Sequence, residues 1–219
     1  MIKNPLYVYG DQNAIKVPSH LNYGKHLLAT LDGYNDTAAI INAETGETLS
    51  YKELAQQAVD IALSLVHMGV RKGQVVSICS EKRMEFMPTI LGIVCAGATF
   101  AAADVTGGRA TILHRMNLAK PTVMFCSPAA YEIHKDTLKS VESIEKIIIF
   151  GDQATDNAIS FKDFLTKHAE IEEFLPIEVN GWEDLAIILY SSGTTGLPKG
   201  IPLTHLKLLL MLADTGAPR

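Results

Sequence analysis

With 219 residues and 47% hydrophobic content, the chain is long enough to bury a real core, as one domain or two. A formal net charge of -5 and a pI near 5.8, without a basic patch, argue against a nucleic-acid footprint. Cys79, Cys95 and Cys126 are scattered in apolar contexts with no C-x-x-C pair, which points to packing in a reducing setting. The seven histidines show no ligand spacing, so no metal-ligating residue is assigned.

Met1-Ile2-Lys3-Asn4-Pro5 lacks the apolar segment of a secretory signal. The longest apolar stretch, 89–103, is broken by Gly92 and Gly97 and is too short to span a bilayer. Ser50-Tyr51-Lys52-Glu53 reads as a capping box, and Leu54, Ala58, Ile61, Ala62, Leu65 and Val66 then recur at helical spacing until Gly69. A short buried strand is predicted at 75–79, a helix at 83–96 with Pro88 near its first turn, and a strand at 99–103. After Gly107-Gly108 the alternation continues with a helix at 110–118, a strand at 122–126, a helix at 129–140 and a strand at 146–150. The expected fold is therefore α/β, a mainly parallel sheet flanked by helices.

Beyond this, 151–157 reads as a polar turn, 161–168 as a short helix and 170–180 as an acidic, Pro-containing connection. Asp184 leads into a strand at 185–190. Thr204 can cap a helix whose body, 206–212, is apolar except at Lys207. A helix apolar nearly all round calls for burial on several sides, either within this chain or against more of a larger domain.

The most informative segment is Tyr190-Ser191-Ser192-Gly193-Thr194-Thr195-Gly196-Leu197-Pro198-Lys199-Gly200, directly behind that strand. Glycines let backbone N–H groups converge on an anion, the hydroxyls add donors, and Lys199 adds a mobile positive charge. Pro198 holds Leu197 extended, stiffening the exit. The segment is not the G-x-x-x-x-G-K-[ST] loop: counting from Gly193 the sixth position is Pro198, and Gly200 follows Lys199. Its glycine spacing also fails the dinucleotide fingerprint, and Ser192 lacks a nucleophile elbow. Composition alone leaves a Ser/Thr/Gly linker open as the alternative.

Together with Leu203-Thr204-His205, this segment resembles the signature loop of the adenylate-forming enzymes: acyl- and aryl-CoA ligases, beetle luciferases and peptide-synthetase adenylation domains. Leu49-Ser50-Tyr51-Lys52-Glu53-Leu54 is similar to a further family motif. Cys79-Ser80-Glu81, Phe86-Met87-Pro88, Leu91-Gly92 and Lys120-Pro121-Thr122-Val123 resemble the luciferase and coumarate CoA ligase branch. Pro202 and Asp104-Val105 depart from its pattern.

The resemblance implies that ATP is attacked at its α-phosphate by a carboxylic acid, giving an acyl-adenylate and pyrophosphate, with coenzyme A as the usual acyl acceptor. It implies nucleotide contacts at Ser191, Ser192, Gly193, Thr194, Thr195 and Lys199, with Gly196 and Gly200 as conformational supports. His205 falls at the start of the following helix rather than in acid–base work, and no catalytic residue is assigned. Magnesium is implied, with its acidic ligand absent from these residues, as are the later motifs and the mobile C-terminal domain. Residues 1–219 are thus expected to be a partial N-terminal (AMP-binding) domain from an intracellular protein, cytoplasmic, or peroxisomal for a full-length relative, though 216–219 carries no peroxisomal tripeptide. Two other readings stay open: a non-catalytic product that binds nucleotide, or a partner through an exposed apolar C-terminal helix, and luciferase-type oxidation after adenylation.

Overall fold

The computed structural model describes residues 20–191 and 197–214. Expectations for 1–19 and 215–219, including the missing leader and C-terminal tripeptide, lie outside the described residues.

The first helix, α1 (Tyr23–Asp32), is capped by Asn22, whose Oδ1 accepts from the Gly24 N–H at 2.7 Å. A two-stranded antiparallel hairpin follows, β1 (Ala38–Ile41) with β2 (Thr48–Ser50). It delivers α2 (Tyr51–His67), and the predicted capping box forms: Glu53 N–H donates to Ser50 Oγ at 3.2 Å, and the Glu53 carboxylate accepts from Ser50 N–H at 2.8 Å. Gly69 ends the helix at φ +104°, a backbone state that L side chains rarely adopt.

The main sheet has seven strands in the order β7-β6-β5-β3-β4-β8-β9: β3 (Val75–Cys79), β4 (Thr99–Ala103), β5 (Val123–Cys126), β6 (Lys146–Ile149), β7 (Ile159–Ser160), β8 (Leu185–Ser191) and β9 (Lys199–Thr204). All neighbours pair in parallel except β8 with β9, which are antiparallel. The remaining helices are α3 (Phe86–Cys95), α4 (Arg109–Ala119), α5 (Pro128–Lys139), the single turn α6 (Phe161–Phe164) and α7 (His205–Asp214).

Alternation along the central strands separates two cores, and a smaller third one joins Val94, Ala186, Leu203 and Leu208 at the β8–β9 edge. Val76, Ile78, Phe100, Val123, Phe125 and Ile148 face α1, α2, α3 and α6, while Cys79, Ala103, Met124, Cys126 and Ile149 face α4 and α5. Strands buried on both faces therefore read as unbroken apolar runs. Phe125 is the hub of an aromatic cluster, stacked with Phe150 at 5.7 Å and edge-on to Phe164 at 5.3 Å between ring centroids. α2 and α3 meet at Gly92, where a Cβ would lie 2.7 Å from Ile61 Cγ2 and 2.9 Å from the Ala58 carbonyl. All three cysteines are free and buried; burial pushes the Cys79 thiol up to about 12 and raises the other two, in keeping with a packing role.

Two helices differ from expectation. α3 begins at Phe86 rather than 83, because a start at 83 would require a hydrogen bond from Pro88 to the Met84 carbonyl, which proline cannot donate. Starting at Phe86 puts Pro88 among the first-turn positions that have no intrahelical partner. α6 stops at Phe164 rather than reaching 168, since the Thr166 and Lys167 N–H groups donate to Ser64 Oγ of α2, at 3.2 and 3.3 Å. β7 falls between the expected polar turn and α6; it was not anticipated, nor were α1, β1, β2 and β9. Pro202 fits β9 because this is the sheet's edge strand. No helix among the described residues is long and apolar enough to cross a membrane.

Candidate nucleotide site

The signature segment is the connection of the β8–β9 hairpin. Tyr190 pairs with Gly200 and Ser191 with Lys199, so the first and last predicted contact residues stand opposite one another at the base of the loop. Ser191 is half-buried and Lys199 exposed. Ser192, Gly193, Thr194, Thr195 and Gly196 lie outside the described residues. Because β8 runs parallel to β4, this base lies at the carboxyl edge of the sheet, where doubly wound folds bind ligands. The hairpin root is fastened by Thr99, whose Oγ donates to the Leu185 carbonyl at 2.9 Å, and by an ion pair of 2.9 Å between Lys72 and Asp184.

The conformational role expected of Gly200 is not found. It lies in extended strand, and an added Cβ would make ordinary contacts, 3.6 Å from Ile188 and 3.9 Å from Tyr190.

Helix α4 supplies contacts that sequence reasoning missed. His114 Nε2 donates to the Pro198 carbonyl at 2.8 Å, which fixes the proton on that nitrogen because a carbonyl only accepts. Tyr190 Oη donates to the Arg115 carbonyl at 3.2 Å, and the Arg115 guanidinium lies 5.0 Å from the centre of the Tyr190 ring. Arg115 Nη2 is also 3.5 Å from Asp104 Oδ2. Asp104, the departure noted at the end of β4, accepts from the Thr106 hydroxyl at 2.7 Å and amide at 3.0 Å. The Thr106 hydroxyl hydrogen bond is the main influence holding its carboxyl below the usual range.

Thr204 caps α7 as expected, accepting from the Lys207 N–H at 3.3 Å. His205 is fully buried, with Nδ1 accepting from the Tyr23 N–H at 3.0 Å and Nε2 unpartnered among the described residues. Burial pushes its pKa down to about 4, partly opposed by Asp184, so it is a neutral structural histidine at pH 7. Leu206, Leu208 and Leu209 of α7 are buried, whereas Leu210 and Met211 are exposed, so its apolar surface is only partly covered.

These features define a doubly wound α/β protein with a glycine- and hydroxyl-rich loop at the carboxyl edge of its sheet. The chain belongs to the AMP-binding enzyme family, which matches residues 28–217. It is 26% identical over 205 residues to a luciferin 4-monooxygenase of Photuris pensylvanica, covering 89% of this chain and 37% of that protein. A 4-coumarate–CoA ligase-like protein of Arabidopsis thaliana is 27% identical over 208 residues, covering 92% of this chain and 36% of its own length. The solved red-emitting luciferase of Phrixothrix hirtus superposes with a TM-score of 0.85 at 27% identity, over 96% of this chain and 52% of that one. A long-chain-fatty-acid-CoA ligase of Archaeoglobus fulgidus gives 0.78 at 25% identity, over 93% and 41%. The chain thus spans little more than a third of the length of these two curated relatives.

Proposed function

We propose that the whole protein activates a carboxylic acid with ATP and passes the acyl group to coenzyme A. A carboxylate oxygen attacks the α-phosphorus, the bond from that phosphorus to the bridging oxygen breaks, and pyrophosphate leaves. The coenzyme A thiolate then attacks the acyl carbonyl and AMP departs. In this reading the hydroxyls and amides of Ser191, Ser192, Gly193, Thr194 and Thr195 donate to the β- and γ-phosphates, with Gly196 as a conformational support. Lys199 supplies the positive charge that stabilises the departing pyrophosphate.

The observation that supports it most is the pairing of Ser191 with Lys199 across the hairpin, which sets a hydroxyl and an ammonium on either side of one loop at the carboxyl edge. Among the described residues no cluster of three or more His, Cys, Asp or Glu side chains is placed to hold a metal ion. The test is acid-dependent release of pyrophosphate by a form of the protein continuing past Arg219, offered a panel of fatty and aromatic acids. Release with at least one acid is expected, and a flat response across the panel contradicts the proposal. A luciferin substrate in the same panel, monitored for light, separates oxidation after adenylation from plain ligation.

One observation favours a second reading, a nucleotide- or partner-binding protein without turnover. Leu189 and Ile201, opposite each other on β8 and β9, are exposed, as are Leu210 and Met211 of α7. Self-association is its simplest form. Sedimentation independent of protein concentration would remove that form.

A further inference from the structure

We infer that α4 is the positioning element of the phosphate loop, its two consecutive residues His114 and Arg115 holding the two ends of the loop against the sheet. The inference rests on the nucleotide reading above and deepens it.

Pro198 and Tyr190 flank seven residues, 191–197, that include five of the six nucleotide contacts the resemblance implies. The exit is held by the His114 Nε2 hydrogen bond to the Pro198 carbonyl at 2.8 Å. Tyr190, on the approach side, is held from two directions: its hydroxyl on the Arg115 carbonyl at 3.2 Å and its ring under the guanidinium at 5.0 Å. α4 is itself tied to the end of β4, because Asp104 takes both Thr106 donors and faces Arg115 at 3.5 Å. The hairpin thus gains supports on a helix from elsewhere in the sheet, at sequence separations of 84 and 75 residues.

The chemistry explains why such supports matter. A loop of amides and hydroxyls grips phosphate only if its donors converge, and an edge hairpin can twist independently of the sheet. A donor at His114 and an aromatic–guanidinium contact at Arg115 set its height and tilt before nucleotide arrives. Neither residue need touch the nucleotide. Both act through Tyr190 and Pro198, and are positioning residues.

The test uses the chain itself, with far-UV circular dichroism to verify folding of each variant. By calorimetry, His114→Ala and His114→Asn should weaken ATP binding about three- to tenfold, the equivalent of one neutral hydrogen bond. His114→Gln, whose side-chain amide can reach the Nε2 position, should restore it, whereas a purely packing role would not distinguish Gln from Asn. Tyr190→Phe, which keeps the ring and removes the hydroxyl, should weaken binding to a smaller extent. Equal ATP affinity in all four variants and the unmodified chain overturns the inference.

Hydrogen exchange across 197–204 gives a readout that needs no nucleotide. Faster exchange in His114→Ala, returned to the unmodified rate by His114→Gln, is expected; unchanged exchange overturns the positioning role. If the unmodified chain takes up no ATP, the nucleotide reading fails while the exchange measurement still judges the clamp.

Discussion

The centre of the sheet and its β8–β9 edge are built from similar residues to different ends. At the centre, β3, β4 and β5 are covered on both faces and locked by Phe125, Phe150, Phe161 and Phe164. At the edge, Leu189 and Ile201 remain 45% and 41% exposed, and the hairpin is held by pairing with β4, by a small core of Val94, Ala186, Leu203 and Leu208, and by single contacts from α4, Thr99 and Lys72. Stability is thereby concentrated where no candidate chemistry resides. The loop can be altered without endangering the fold that carries it.

Matched truncations test this division most strongly. Phe125→Ala should cost about 3–5 kcal/mol in chemical denaturation, and Ile201→Ala on the hairpin about 1 kcal/mol or less. Similar losses at the two positions would break the division.

The next effect is a pH dependence from His205, at the junction of the two regions. Its folded pKa of about 4 lies below the ordinary 6.5, so between these values the unfolded chain takes up a proton that the folded chain refuses. Stability should fall as pH drops through this window, by on the order of 3 kcal/mol, and this contribution should level off below it. His205→Asn, with a side-chain oxygen able to accept from the Tyr23 N–H, should flatten that part of the melting curve against pH. An unchanged slope contradicts the buried neutral state. His168 works in the opposite sense: Asp60 raises its pKa, so its smaller contribution is present below its ordinary pKa and lost as pH rises through the raised one.

Gly92→Ala sharpens the picture on the central side. The added methyl meets Ile61 and the Ala58 carbonyl below 3.0 Å, and separating α2 from α3 should cost about 1–3 kcal/mol by thermal denaturation. A neutral result would show that the helix pair yields easily.

The central strands were legible in the sequence because burial on both faces leaves continuous apolar runs, and the Ser50 capping box because its partners are three residues apart. Elements set by distant partners were not. α1 is anchored by Asn22, whose Nδ2 donates to the carbonyls of Val94 and Ile177, 72 and 155 residues away. α6 ends early because Ser64 draws off its following amides. Likewise, the loop's glycines, hydroxyls and lysine could be read from composition, whereas nothing local marks His114 and Arg115, whose roles exist only once β8 and β9 are laid beside α4. A histidine–arginine pair on a helix after a sheet strand is the sole trace they leave, and it is common.

The nucleotide reading is tested most directly by titrating ATP into the unmodified chain and into Lys199→Ala by calorimetry. Measurable binding to the first, weakened about 10- to 100-fold in the second with an unchanged melting temperature, is the predicted result, matching one charge-assisted contact on an exposed side chain. Equal affinity in the two proteins, or no binding to the unmodified chain, would contradict it.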